Sequence, residues 1–278
     1  MTASQQSRRR FLVYLAALGG AGLLGGIAWA ERRAPSPEVE AGVRTATTTT
    51  TGAPSTTTGP PAATTSSPPA TTAAPPATTL PSPIVIEAVC PEAWSALPVI
   101  GKFETHTIER LTVHHTAVVL EDNRQAPARA RQHQQYHQEL GWPDLAYHFL
   151  IDAGGNVYRG RPVTAVGDTA TEYDPTGHFL VCCEGHFDQQ VVSQAQLASL
   201  VDVLAWAALE FDVSPETISG HRDWASTTCP GEDLHGYLAS GYLRDAVVER
   251  LSAGGAQMEE VCGSAGTARV AAIESGPS

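Results

Sequence analysis

The sequence predicts a single domain of the mixed α/β (α+β) class, with helices flanking a central mixed β-sheet. Two observations lead to this prediction. Between residues 108 and 251, short runs of β-branched and aliphatic residues alternate with longer segments that have helical character. One pair of short apolar runs is joined by the turn-forming residues 152–156, which is the signature of a hairpin.

The first half of the domain contains four predicted strands and one helix. The β-branched and aliphatic residues of 108–114 predict a strand, and the polar Ala-, Arg- and Gln-rich run 125–140 predicts a helix. Residues 146–151 and 157–159 form the predicted hairpin. Residues 178–184 are apolar on both faces, which is typical of a central strand.

The second half is predicted to be mainly helical. Ser193 and Gln196 fit a capping box at the start of a helix. The apolar residues that follow have helical spacing: Leu197, Leu200, Val201, Leu204 and Ala208. Residues 218–219 are predicted as a short strand or loop, and 233–251 as a last helix.

The two ends of the chain have compositions that differ from the domain. Residues 1–30 carry three arginines before an apolar run that ends in Ala-Trp-Ala, which predicts a twin-arginine export signal cleaved after Ala30. An uncleaved membrane helix is the alternative, and it would be the only membrane contact. Residues 31–83, rich in Thr, Pro and Ala, are predicted to be a disordered linker. The predicted domain spans 84–262, and 263–278 is predicted to be a disordered tail.

The charge of the chain limits its partners. From residue 45 onward there are 11 basic and 26 acidic residues. So acidic a domain is a poor candidate for binding nucleic acid or an anionic membrane surface. We expect an exported monomer, located in the cell envelope or secreted.

Export permits disulfide bonds, and the chain has five cysteines. Cys90 and Cys262 flank the globular region and are predicted to pair. Cys182 and Cys183 lie in the apolar run 178–184 and are predicted to be buried free thiols.

The stretch GHRDWASTTCPG, residues 220–231, places His221 and Cys229 eight positions apart. A kinase catalytic loop is excluded, because Thr228 stands where that loop needs asparagine. A cysteine hydrolase, with Cys229 as nucleophile and His221 as base, stays open. So does a zinc site, since imidazole and thiolate both bind zinc, with His114 as the candidate third ligand. Arg222 and Asp223 are predicted to be a structural pair that holds the loop.

Four segments in order resemble the zinc-dependent N-acetylmuramoyl-L-alanine amidases, a family that includes peptidoglycan-recognition proteins and phage lysozymes. They are LTVHHTA (111–117), GWPDLAYHFLIDAGGNVYRGRP (141–162), FLVCCEGHFD (179–188) and GHRDWASTTCPG (220–231). The resemblance covers about residues 105–235 and implies the fold of that family. It implies that His114, His221 and Cys229 hold Zn²⁺.

The resemblance also implies roles for residues around the ion. Tyr147 matches the active-site tyrosine of the family, and Thr227 stands where some members have lysine and others threonine. Cys182 stands where some members have a glutamate base, and Glu184, two residues on, could take part or be an ordinary strand-end acid. The remaining candidate histidines are expected to be structural: His115, His137 and His148.

The function implied is zinc-dependent hydrolysis of the amide bond between N-acetylmuramic acid and L-alanine, with peptidoglycan or muropeptides as the partner. One alternative is a module that binds peptidoglycan without cutting it. Members of that kind lack the cysteine ligand, and this chain retains Cys229. The cysteine hydrolase remains the second alternative.

Overall fold

A computed structural model describes residues 82–276, so the predicted signal and residues 31–81 of the predicted linker lie outside the described residues. The strands are β1 Ile84–Val89, β2 Arg110–His115, β3 Phe149–Ile151, β4 Val157–Arg159, β5 His178–Cys183, β6 Ser219–Gly220 and β7 Ala256–Val261. The helices are α1 Ala126–Glu139, α2 Gln194–Glu210, α3 Glu232–Ala239, α4 Tyr242–Ser252 and α5 Gly263–Ser275. In this part of the chain, no helix is both long and apolar enough to cross a membrane.

The strands form one mixed sheet in the order β6-β2-β5-β3-β4-β1-β7. β3 and β4 are the predicted antiparallel hairpin, and the other pairings are parallel. Every residue of β5 is buried, because helices cover both faces of the sheet. The mixed α/β class and the central position of β5 are confirmed.

The two faces of the sheet have separate cores. α2 and α4 pack on one face, against side chains such as Leu111 and Phe179. α1 and α5 pack on the other face, against Leu150 and Cys182. His114 is paired in register with Cys182. Since paired residues on neighbouring strands point to the same face, the His114 side chain belongs to the α1 side.

Ser193 begins α2 as predicted, but the capping box is only half formed. The Ser193 hydroxyl accepts a hydrogen bond from the backbone N–H of Gln196 at 3.0 Å. The Gln196 amide, however, donates to the carbonyls of Ile151 and Glu184 at 2.8 and 3.0 Å. It therefore ties α2 to the ends of β3 and β5 rather than closing the box. The predicted apolar face of α2 is buried.

The prediction of one helix over 233–251 is wrong. Two helices, α3 and α4, meet at Gly241, which has a φ of 79°. This left-handed conformation ends a helix and favours glycine, since it has no Cβ to clash.

The prediction of a disordered tail over 263–278 is also wrong, because α5 occupies most of it and extends the folded domain beyond residue 262. Gly266, Val270 and Ile273 share one buried face of α5. A Cβ at Gly266 would lie 2.5 Å from the carbonyl oxygen of Val261, so glycine permits this close packing. Small residues thus allow one face of α5 to be buried, although the composition of the segment predicted disorder.

β1 and β7 were not predicted and form one end of the sheet. The disulfide between Cys90 and Cys262 joins the ends of these two strands, which confirms the predicted pairing. Cys182 and Cys183 are buried free thiols, as predicted.

Candidate metal centre

Three candidate ligands meet at one end of the sheet. β2 and β6 are parallel, and Val113 pairs with Gly220. The residue after each of these two is a histidine, so His114 and His221 lie side by side with ring centroids 4.6 Å apart. Cys229 comes from the loop that precedes α3. Ligand atoms of all three lie within 4.8 Å of one another, and the three side chains are buried.

The spacing and chemistry of this group fit zinc. Sγ of Cys229 lies 3.7 Å from Nδ1 of His114. A tetrahedral site with a Zn–S bond of about 2.3 Å and a Zn–N bond of about 2.0–2.1 Å places these atoms about 3.6 Å apart. Imidazole nitrogen and thiolate sulfur are also ligands that zinc prefers in proteins.

Arg222 and Asp223 hold the loop of Cys229, but not as a pair with each other. The backbone N–H of Arg222 donates to the carbonyl of Cys229 at 2.9 Å, and its guanidinium donates to the carbonyl of Thr228. Asp223 accepts a hydrogen bond from the N–H of Gly220 at 2.7 Å. The ion-pair partner of Arg222 is Glu232. The predicted pairing is therefore wrong, while the predicted role in holding the loop is confirmed.

Burial keeps the candidate ligands uncharged when no metal is bound. It raises the pKa of the Cys229 thiol to about 12, although the backbone N–H of His115 donates to Sγ and opposes this shift. Burial lowers the pKa of His221 to about 4. A neutral imidazole can bind a metal directly, whereas the thiol must lose its proton. A thiol with a raised pKa is a poor nucleophile, which argues against the cysteine hydrolase.

A cleft of about 220 Å³ opens onto this group, and Tyr147 lies in its wall. The Tyr147 ring is 5.3 Å from that of His114, centroid to centroid. Burial, followed by the nearby thiols of Cys182 and Cys229, raises the pKa of Tyr147 well above its usual value. The phenol is therefore protonated at neutral pH and is a hydrogen-bond donor, and the thiol of Cys182 lies within its reach.

Of the other two predicted catalytic residues, Thr227 and Glu184, one lines the cleft and the other does not. Thr227 lines the cleft, and its hydroxyl accepts a hydrogen bond from the N–H of Cys229 at 3.2 Å. Glu184 does not line the cleft. Its buried carboxylate binds His133 at 2.8 Å and Arg129 at 3.4 Å. Glu184 thus belongs to a buried ion cluster beside α1, and this placement does not support a role in proton transfer.

The histidines predicted to be structural lie outside the ligand group. Nδ1 of His115 accepts from the N–H of Phe187 at 3.3 Å. Nδ1 of His137 accepts from the N–H of Ala146 at 3.0 Å. Both ring nitrogens of His148 are bonded to backbone, Nε2 to the carbonyl of Ala165 at 2.9 Å and Nδ1 to the N–H of Leu180 at 2.8 Å.

Two residues near the metal group were missed by sequence reasoning. The hydroxyls of Thr169 and Thr171 line the cleft beside His221. Threonine has many surface roles, and 50 positions separate Thr171 from His221, so no local pattern links them. A second cavity, of about 280 Å³, lies beside β1 and α2, but no histidine or cysteine lines it.

Comparison with known proteins gives matches over the part of the chain that builds this site. Residues 104–232 match the family described as N-acetylmuramoyl-L-alanine amidase. Peptidoglycan-recognition protein SC1a of Drosophila melanogaster is 34% identical over 138 residues, 49% of this chain and 72% of that protein. The endolysin of Enterobacteria phage T3 is 32% identical over 133 residues, 46% of this chain and 83% of that protein.

Solved structures agree on the fold. Peptidoglycan recognition protein SD of Drosophila has a TM-score of 0.52 at 23% identity, covering 55% of this chain and 93% of that one. Peptidoglycan recognition protein LE, solved in complex with tracheal cytotoxin, has a TM-score of 0.51 at 23% identity, covering 55% and 92%. At this identity the likeness concerns architecture.

Proposed function

Because this chain belongs to the N-acetylmuramoyl-L-alanine amidase family, we propose that it hydrolyses the amide bond between N-acetylmuramic acid and L-alanine in peptidoglycan, and that it depends on zinc. The convergence of His114, His221 and Cys229 below a cleft carries this proposal. Three protein ligands with room for a fourth are typical of catalytic zinc sites, whereas structural sites are usually closed by four.

The residues of the cleft have distinct parts in the proposed reaction. Zinc held by the three ligands would supply an activated water at neutral pH and would polarise the amide carbonyl. Tyr147 donates a hydrogen bond to the carbonyl oxygen, where negative charge develops in the transition state. Thr227 lies beside Cys229 in the same wall, and we propose that it contacts the leaving amine.

The proposed partner is peptidoglycan or a fragment of it. Relatives at 32–34% identity carry the names peptidoglycan-recognition protein, amidase and endolysin. Peptidoglycan recognition protein LE was solved with monomeric diaminopimelic acid-type peptidoglycan. We propose that this chain meets such a partner as a monomer after export, through the twin-arginine-type signal predicted in residues 1–30.

The test is cleavage of purified peptidoglycan by the zinc-loaded protein, with release of stem peptides that begin with L-alanine followed by mass spectrometry. Chelator should abolish release, and added zinc should restore it. Cys229→Ser should lose both zinc and activity. Cys183→Ala is the matched control, since it removes a buried thiol outside the ligand group.

Two results would overturn the proposal. If the zinc-loaded protein binds peptidoglycan without releasing peptide, the chain is a recognition module. If activity survives chelator but is lost on alkylation of Cys229, the chain is a cysteine hydrolase.

A further inference from the structure

His221 has a hydrogen-bond partner on a loop that does not contribute a ligand. Nε2 of His221 lies 2.8 Å from the hydroxyl oxygen of Thr171. Thr171 belongs to the segment between β4 and β5, while His221 follows β6. The contact therefore joins two separate parts of the chain at a candidate ligand.

The chemistry of imidazole gives this contact a direction. A neutral imidazole has one nitrogen with a lone pair and one with a proton, so a metal on one nitrogen leaves an N–H on the other. Since Nε2 of His221 faces Thr171, the nitrogen available to a metal is Nδ1. In the metal-loaded protein, Nε2–H then donates to the Thr171 hydroxyl oxygen.

A second threonine lies within hydrogen-bond distance of the first. The hydroxyl oxygens of Thr171 and Thr169 are 2.7 Å apart, and the Thr169 oxygen also accepts from the backbone N–H of Thr171 at 3.1 Å. The Thr171 hydroxyl can thus accept from His221 while donating to Thr169.

The second histidine ligand lacks such support. Nε2 of His114 is buried with no hydrogen-bond partner among residues 82–276. His114 lies inside the sheet on β2, whereas His221 sits on the short turn that follows β6. The strand can fix His114, but His221 needs an outside contact to fix its ring and its tautomer.

We propose that Thr171 is a positioning residue, which holds His221 with Nδ1 towards the metal and Nε2 protonated, with Thr169 as its hydrogen-bond acceptor. This inference rests on the proposed zinc site. Hydrogen-bonded partners of metal-bound histidines typically contribute about 10- to 100-fold to metal affinity.

The test compares zinc affinity among hydroxyl variants, measured by competition with a chromophoric chelator. Thr171→Val keeps the shape of the side chain and removes the hydroxyl, and it should weaken zinc binding by about 10- to 100-fold. Thr171→Ser should restore most of the affinity. Thr267→Val is the matched control, since that hydroxyl lies on the exposed side of α5 and its loss should leave affinity unchanged. Unfolding of each metal-free variant shows whether a change comes from folding.

A measurement on the wild type covers the case in which Thr171→Val fails to fold. Long-range ¹H–¹⁵N correlation spectra of the zinc-loaded protein should show His221 protonated at Nε2. Protonation at Nδ1, or equal zinc affinity in wild type and Thr171→Val, would overturn the inference. Failure of the wild type to bind zinc at all would instead overturn the proposed function.

Discussion

Sγ of Cys229 lies 3.7 Å from Nδ1 of His114, although 115 positions separate the two residues. Parallel pairing of β2 with β6 sets His114 beside His221. The hydrogen bond from the backbone N–H of Arg222 to the carbonyl of Cys229 holds the Cys229 loop close to these two histidines. The separation is within about 0.2 Å of that expected for two ligands of a tetrahedral zinc ion. The fold therefore brings these two atoms to a separation that suits zinc.

Tyr147→Phe tests the proposed hydrogen bond to the developing oxyanion. Loss of one such donor typically lowers kcat by about 10²- to 10³-fold. Because Tyr147 is not one of the candidate ligands, zinc content should stay unchanged. Tyr136→Phe, an exposed tyrosine on α1, is the control and should retain wild-type kcat. A Tyr147→Phe protein with wild-type kcat would rule out this role.

Glu184→Gln separates stability from catalysis. The carboxylate is fully buried between Arg129 and His133. Loss of its charge leaves the guanidinium of Arg129 without a counter-charge, and we expect the free energy of unfolding to fall by about 3 kcal/mol. Exposed Glu139→Gln on the same helix as Arg129 should change it by less than about 0.5 kcal/mol. Activity per folded molecule should be unaffected. A large loss of kcat in fully folded Glu184→Gln protein would instead show that Glu184 takes part in catalysis.

The candidate ligands could be predicted because their motifs are short and local. The candidate ligands lie within two motifs of at most a dozen residues each, LTVHHTA and GHRDWASTTCPG. Thr171 could not be predicted, because its significance depends on a hydrogen bond to His221, 50 positions away, that no local pattern shows. The displacement of Glu184 from the cleft likewise follows from contacts with α1 that no strand periodicity shows.

Main features of the sheet and of α2 were predictable from apolar periodicity, whereas the ends of the domain were not. β1 and β7 pair with each other only when both ends of the domain are folded together. The composition of α5 resembles that of a linker, and its order depends on Val270 and Ile273 packing against the core. Such packing is tertiary, so a local reading of composition misses it.

Replacement of Cys90 and Cys262 by alanine tests how much their disulfide bond contributes to stability. The bond closes a separation of 172 residues, and loop entropy alone gives an upper value of about 5 kcal/mol for its contribution to stability. It lies at the β1–β7 end of the sheet, away from β2 and β6. We therefore expect a lower Tm with unchanged zinc affinity, and reduction of the wild type should reproduce both. Loss of zinc affinity in the double variant would instead show that the two ends of the sheet are coupled.

Acid should destabilise the metal-free protein through its buried histidines, and His148 offers the clearest test. Burial lowers its pKa from 6.5 to about 3. Above pH 6.5 neither the folded nor the unfolded state is protonated at this ring. Below pH 6.5 the ring of His148 binds a proton in the unfolded state, whereas in the folded state it does so only below about pH 3. Stability therefore falls as the pH falls, by about 2 kcal/mol at pH 5 from this residue.

Gln at this position can keep both backbone hydrogen bonds, so His148→Gln should flatten the dependence of unfolding free energy on pH between 6.5 and 3 by about 1.4 kcal/mol per unit. Denaturant unfolding in chelator gives this slope, and comparison at pH 8 isolates any packing cost of the substitution. An unchanged slope would mean that His148 titrates in the folded protein as it does in the unfolded chain.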